Sequence, residues 1–210
     1  FTLNGTTISL PLLAPDGRLP QAPDVLTDAT PVTVTSGRTI QTALTPAPRT
    51  RLVRLDVRLQ GADASSITAI TARLEGVSRT ARLEQRYTAV TTQTNSPAPS
   101  LRANAKAPYY LLTNLQLDAS TPTDPEATGT FRLLGTNSSA TGQRILITAT
   151  LANGATLSYE QDVTPLFSGF NPPATATTLR LAATLNFGID QVSGTIIPWT
   201  PGWNEGGTGL

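Results

Sequence analysis

Residues 53–59 alternate without a break, with Val53, Leu55, Val57 and Leu59 on one side and Arg54, Asp56 and Arg58 on the other. Successive side chains of an extended chain point to opposite faces, so this period of two predicts a strand with one buried and one wet face. The Arg–Asp–Arg side reads as a solvated face carrying weak ion pairs. Similar runs recur along the chain, separated by Gly, Pro, Asn and Asp. Thr supplies 36 of the 210 residues, and Thr suits a pleated, half-buried surface.

Strands are predicted at Val32–Thr35, Thr39–Leu44, Leu52–Leu59, Thr80–Thr91, Tyr110–Leu117, Gly129–Leu134, Arg144–Leu151, Ala155–Val163, Thr177–Phe187 and Val192–Trp199. Ile67–Val77 admits a helix between Ser65 and Gly76. Its β-branched Ile67, Thr68, Ile70 and Thr71 are stiff at χ1, and we read it as a strand. One helical turn is expected around Leu166 and Phe167, with irregular loops over Asn95–Pro108 and Ala119–Thr128. The expectation is an all-β chain: a β-sandwich of ten to twelve short strands with little helix.

Three parts follow along the chain. Residues 1–31 read as an extended N-terminal connector with one short strand near Thr6–Leu10, punctuated by Pro11, Pro15, Pro20, Pro23 and Pro31. Such a segment needs a surface to lie on, either as a strap over the sandwich or as the remnant of an upstream domain. Residues 32–201 form the sandwich, and 202–210 a flexible Gly-rich tail. The chain opens on Phe1 without a leader pattern, so a processed chain is expected.

At Asn153-Gly154 two local signals compete. The dipeptide favours a two-residue type I′ turn, which would pair Leu151 with Thr156 and mix polar with apolar residues on one face. A three-residue loop, Ala152–Gly154, instead pairs Leu151 with Ala155, Ala149 with Leu157 and Ile147 with Tyr159, facing the core together. A slip of one residue flips every side chain, so the second register is predicted, with Gly154 left-handed at a bulge.

The chain has no Cys, His or Met, which excludes disulfides, thiol nucleophiles and every triad or metal site built on histidine. Fifteen basic and 14 acidic groups leave a net charge of +1, so nucleic acid is not an expected partner. No apolar run is long enough for a transmembrane helix. Glu75, Glu84, Glu160 and Asp162 could supply a carboxylate pair for hydrolysis, but their spacing selects none. Asp118, Asp124 and Glu126 share a region without a calcium-loop pattern. Tyr110, Trp199 and Trp203 could form a sugar platform if exposed and coplanar. The simpler expectation is that Tyr110 enters the core at a strand start and Trp199 covers the end of its strand. No cofactor is expected, and the chain is not expected to be an enzyme.

Thr50–Leu59 (TRLVRLDVRL) followed by Ser66–Val77 (SITAITARLEGV) resembles the first strands of the second domain of Bacteroides-type fimbrial subunits, the fimbrillin and FimB/Mfa-like families. The ending is similar too: Leu179–Phe187 (LRLAATLNF), then Val192–Trp199 (VSGTIIPW) and a Gly-rich tail. The resemblance spans residues 32–203. It implies a transthyretin-like β-sandwich at the extracellular surface or outer membrane, acting as stalk, tip or anchor of a fimbrium. Other fimbrial subunits, and host or bacterial surface ligands, would be its partners. Family members reach the membrane through a lipid anchor on a Cys that this chain lacks. Stalk members are cleaved after an Arg; neither Arg49 nor Arg51 matches that site. The expected activity is structural or adhesive, by β-strand addition, with a glycan-binding β-sandwich as the alternative. Val192–Trp199 is apolar on both faces, so Val192, Ile196, Ile197 and Trp199 are candidates for a partner strand, although a last strand packed in its own sandwich is the simpler expectation.

Overall fold

In the computed structural model, residues 1–4, 7–27, 36–37, 39–43, 46–61, 63–82, 109–118, 125–137, 142–170, 177–188 and 191–201 are described. They form the strands β1 (Thr2–Asn4), β2 (Thr7–Ser9), β3 (Arg18–Leu19), β4 (Leu26–Thr27), β5 (Ala47–Pro48), β6 (Arg51–Gln60), β7 (Ile67–Glu75), β8 (Thr80–Arg82), β9 (Tyr110–Asn114), β10 (Gln116–Asp118), β11 (Glu126–Leu133), β12 (Arg144–Leu151), β13 (Thr156–Asp162), β14 (Thr178–Gly188) and β15 (Gln191–Pro198). Single 3-10 turns lie at Ala64–Ser66 and Thr164–Phe167.

Two five-stranded sheets make the sandwich. Sheet I runs β10-β11-β6-β14-β15 and sheet II runs β13-β12-β7-β9-β3. The alternation in β6 aims Val53, Leu55, Val57 and Leu59 inward. They join Leu181, Ala183, Leu185 and Phe187 of β14 and Phe131 of β11 in one buried cluster with Ile70 and Leu74 of β7 and Ile145 and Ile147 of β12. Each such Val, Leu, Ile or Phe side chain contributes about 1.5–3 kcal/mol by leaving water. Most pairings are antiparallel, but β14 lies parallel to β6, with Leu181 beside Leu55 and Ala183 beside Val57.

The β12–β13 hairpin has the register set by its apolar pattern. Ala149 lies opposite Leu157 and Ile147 opposite Tyr159. Leu151 N–H donates to Ala155 C=O, Gly154 N–H donates to Leu151 C=O, and Gly154 has φ +83°. Ala155, at the rim, is exposed rather than core-facing.

The N-terminal residues lie over the sandwich. A turn at Ala14–Gly17, with φ +100° at Gly17, leads to β3, which pairs in parallel with the start of β9. Ile8, Leu10, Leu19 and Ala22 are buried in the core cluster. The strap is pinned where Tyr110 Oη donates to Asp16 Oδ2 at 2.6 Å and the Arg73 guanidinium lies 3.8 Å from the Tyr110 ring centre.

Several expectations need correction. Tyr110 is buried at the start of its strand, but outside the cluster between the sheets. It shares the outer face of sheet II with Glu75, its cross-strand partner, and is covered from outside. The stretch predicted as one strand over Tyr110–Leu117 is two, because the chain crosses from sheet II to sheet I at Leu115, which is buried. Residues 39–43 form no strand, and Ile40 is exposed: among the described residues no strand lies beside them, and an alternating pattern alone has nothing to pair with. Asp56 is not solvated but 2% exposed, for reasons given below. Val32–Thr35 and most of Thr80–Thr91 lie outside the described residues.

Two outcomes are expected. Gly154 has open space around it, so Gly154→Ala meets only the backbone penalty of positive φ, about 1 kcal/mol in urea unfolding. The Tyr110 hydrogen bond is the main cause that holds the Asp16 carboxyl below its ordinary value, and the Asp16 bond raises the Tyr110 phenol. Ionised Asp16 with neutral Tyr110 is the bonded form, so the tie is lost as pH falls through the lowered Asp16 pKa or rises through the raised Tyr110 pKa. Tyr110→Phe should return Asp16 toward the ordinary carboxylate range in a carbon-detected NMR titration.

Candidate functional site

The four partner-strand candidates gather at the end of sheet I. Val192, Ile196 and Ile197 lie on β15 and Trp199 follows it, all in register with β14: Val192 faces Phe187, Ile196 faces Ala183, and Ile197 faces Ala182. Val192 and Ile196 point inward with Phe187 and Ala183, and Ile196 is buried. Ile197 and Trp199 point outward, with Ile197 40% exposed. Trp199 N–H donates to Arg180 C=O, which continues the ladder one step past the strand.

That bond also fixes which backbone groups of β15 face its free edge: those of the even-numbered residues. The edge is closed by side chains from the opposite sheet. Gln161 of β13 accepts the Ile196 N–H on Oε1 at 2.7 Å and donates from Nε2 to the Ile196 C=O at 2.9 Å. A carboxamide presents the same donor and acceptor as a peptide unit, so Gln161 stands where an added strand would place its backbone. The Tyr159 hydroxyl lies 2.9 Å from the Gly194 C=O and 2.7 Å from Gln161 Oε1, and its single proton serves one at a time. Burial raises the Tyr159 pKa, which keeps the hydroxyl protonated. Pro198, next along, has no N–H to offer. A polar residue at an inward position of β13, after Leu157 and Tyr159, was the sequence signal for this arrangement, and the reading of strands alone missed it.

On the outer face of sheet I, the β6–β14 pairing brings Arg54 beside Arg180 and Asp56 beside Ala182. Asp56 accepts from Arg54 Nε at 3.0 Å and from Arg180 Nε at 2.6 Å. The Arg180 guanidinium also lies over Trp199, 3.8 Å from the ring centre. The Trp199 indole N–H is buried without a hydrogen-bond partner among the described residues. One carboxylate therefore holds two cations, and one cation holds the indole that ends the last strand.

Asp118 and Glu126 meet as cross-strand partners on β10 and β11, with Arg58 3.8 Å from Glu126; the remaining candidates stand apart. Glu75 is paired with Arg73 at 2.6 Å and Glu160 with Arg144 at 2.8 Å. Asp162 accepts from the Thr164 hydroxyl and N–H, which lower its pKa. Glu84, Asp124 and Trp203 lie outside the described residues, among which no group of three acids could hold a metal ion. Tyr110 and Trp199 sit on the outer faces of different sheets, each under an arginine, and do not form one platform. Arg49 donates from Nε to Thr27 Oγ1 at 2.8 Å, and Arg51 is buried.

No family model and no curated protein matches the sequence. Similar solved structures include a proposed adhesin from Bacteroides ovatus, 10% identical with a TM-score of 0.40 over 80% of this chain and 56% of that one. A proposed cell adhesion protein from Bacteroides fragilis is 12% identical, with a TM-score of 0.38 over 80% of this chain and 51% of that one. The tip fimbrial protein Mfa3 from Porphyromonas gingivalis, truncated at its C-terminus, is 14% identical, with a TM-score of 0.34 over 84% and 70%. The chain spans just over half the length of the two Bacteroides proteins.

The two locks on β15 can be separated. Gln161→Ala leaves the Ile196 pair without its protein partner and should cost about 1–2 kcal/mol in thermal unfolding. Arg180→Ala leaves the buried Asp56 with one cation instead of two and uncovers Trp199. It should cost about 2–3 kcal/mol and shift the tryptophan emission to longer wavelength.

Proposed function

We propose that this chain is a non-enzymatic structural or adhesive subunit, a stalk, tip or anchor component, of a bacterial cell-surface fimbrium, and that it joins its neighbours by β-strand addition. The resemblance of residues 32–203 to fimbrial subunits supports the reading, and so does the way the sandwich treats its edges. A strand at a sheet edge presents unpaired backbone groups that a partner strand can satisfy. Of the four outermost strands, β3 and β10 are two and three residues long, and β15 is closed by Gln161. Among the described residues, β13 is the remaining edge of useful length, seven residues with exposed Thr156, Ser158, Glu160 and Asp162. This open β13 edge is the observation that carries the proposal. The location is the extracellular surface, and the partners are other subunits of the same fibre. A transthyretin-like topology and an outer-membrane attachment through a lipid on another chain segment belong to the same proposal.

The hydrogen bond from Leu151 to Ala155 sets the phase of the hairpin. It turns the odd-numbered β13 residues toward β12 and the backbone of Thr156, Ser158 and Glu160 outward. Ser158→Pro therefore removes an outward N–H and spares the ladder with β12. In cells making the fimbrium, the wild-type chain should be recovered in sheared fibres. The Ser158→Pro chain should melt like the wild type yet be lost from the fibres. Normal incorporation of the variant would rule out β13 as the joining edge. Absence of the wild-type chain from fibres would overturn the fimbrial reading itself.

A further inference from the structure

A cavity of about 410 Å³ opens at the corner where the chain crosses from sheet II to sheet I. Its walls are Thr113 and Asn114 at the end of β9, Gln116 of β10, Thr128 and Thr130 of β11, and Arg54 of β6. Two structural facts keep it open. β10 pairs with β11 only as far as Thr128, and the strap resumes contact at Arg132, whose N–H donates to Gln21 Oε1 and whose C=O accepts from Ala22. The edge of β11 at Thr130 lies in the gap between them. Gly129 adds no side chain there, and a methyl group at that position would collide with Leu115.

The chemistry of the lining is specific. It offers three hydroxyls and two carboxamides, groups that both donate and accept, and one guanidinium. No acid lines the cavity. Arg54 has its Nε committed to Asp56, but Asp56 also neutralises Arg180, so two cations share one carboxylate and a positive charge is left over. The Arg54 side chain is half exposed, with its terminal nitrogens outside the Asp56 bond. An inorganic anion would use the guanidinium and leave the acceptors unmet. A neutral sugar would leave the charge unmet.

We propose that this cavity binds an acidic sugar, a carboxylate-bearing residue of a surface glycan. Its carboxylate meets Arg54, and its hydroxyls meet Asn114, Gln116, Thr128 and Thr130. The site stands on the cavity alone and goes beyond the fimbrial reading. It is also distinct from any platform of aromatic rings.

The test is an NMR titration of the full chain, labelled with nitrogen-15, with sodium glucuronate, N-acetylneuraminate, glucose and acetate as probes. The expected result is saturable shifts at residues 54, 113–116 and 128–130 with at least one acidic sugar, and weaker effects from glucose and from acetate. Which acid binds tighter tells a uronate-type from a sialate-type glycan. Arg54→Gln should weaken the acidic sugar about tenfold or more and leave glucose unchanged. Thr130 is exposed and lies opposite Arg54 rather than Asp56, so Thr130→Val should also weaken it if Arg54→Gln fails to fold. Shifts of equal strength with acetate alone would mean a bare anion site, and no shift with either acid would mean no site; both overturn the proposal.

Discussion

The backbone groups at a sheet edge must bond to something, and most of what distinguishes this protein follows from how its edges meet that demand. Sheet I ends in β15, whose Ile196 would offer an N–H and a C=O to any strand drifting past. Gln161 takes both, with Tyr159 beside it. Because Gln161 belongs to sheet II, the same two hydrogen bonds join the sheets along one side of the sandwich. On the opposite side the chain itself crosses between the sheets at Leu115, and the strap at Gln21 and Ala22 covers part of what remains. Among the described residues, β13 keeps an edge without a neighbouring strand.

Charge placement reinforces this arrangement. A carboxylate 2% exposed would be costly alone, but Asp56 has two guanidiniums within hydrogen-bond reach. The second of them comes from β14, 124 residues along the chain, and reaches Asp56 because β14 runs parallel to β6 in the register that sets Arg180 beside Arg54. The cluster thus reads out the least local strand pairing among the described residues. By stacking on Trp199, Arg180 carries that pairing on to the end of the last strand.

Much of this was legible in the sequence, and the parts that were not have physical reasons. The period of two in residues 53–59 and 144–151 located strands and their inward faces, because one face of each is dry. The choice between two hairpin registers at Gly154 was settled by the same pattern against a strong dipeptide signal. What alternation does not carry is which strand lies beside which. The parallel β6–β14 pair, the crossover at Leu115 and the landing of Asp16 on Tyr110 depend on contacts between distant segments. Asp56 looked wet because a central strand's outer face reads like any polar face until its neighbours are known. Gln161 stood as a polar residue in an inward row, a visible anomaly whose partner on β15 was not. Of the cavity beside Thr130, only the residue types were visible. Its shape comes from where β10 stops.

β15 is an integral strand whose exposed edge is satisfied at Ile196 from within the molecule. Amide hydrogen exchange on the full chain tests it most directly, because Ile196 and Gly194 both face that edge, and the N–H that Gln161 accepts is that of Ile196. The expected result is strong protection at Ile196, comparable to the β14 amides paired with β15, beside rapid exchange at Gly194. Rapid exchange at both residues, with the β14 amides still protected, would show that the edge stands open and would contradict the account.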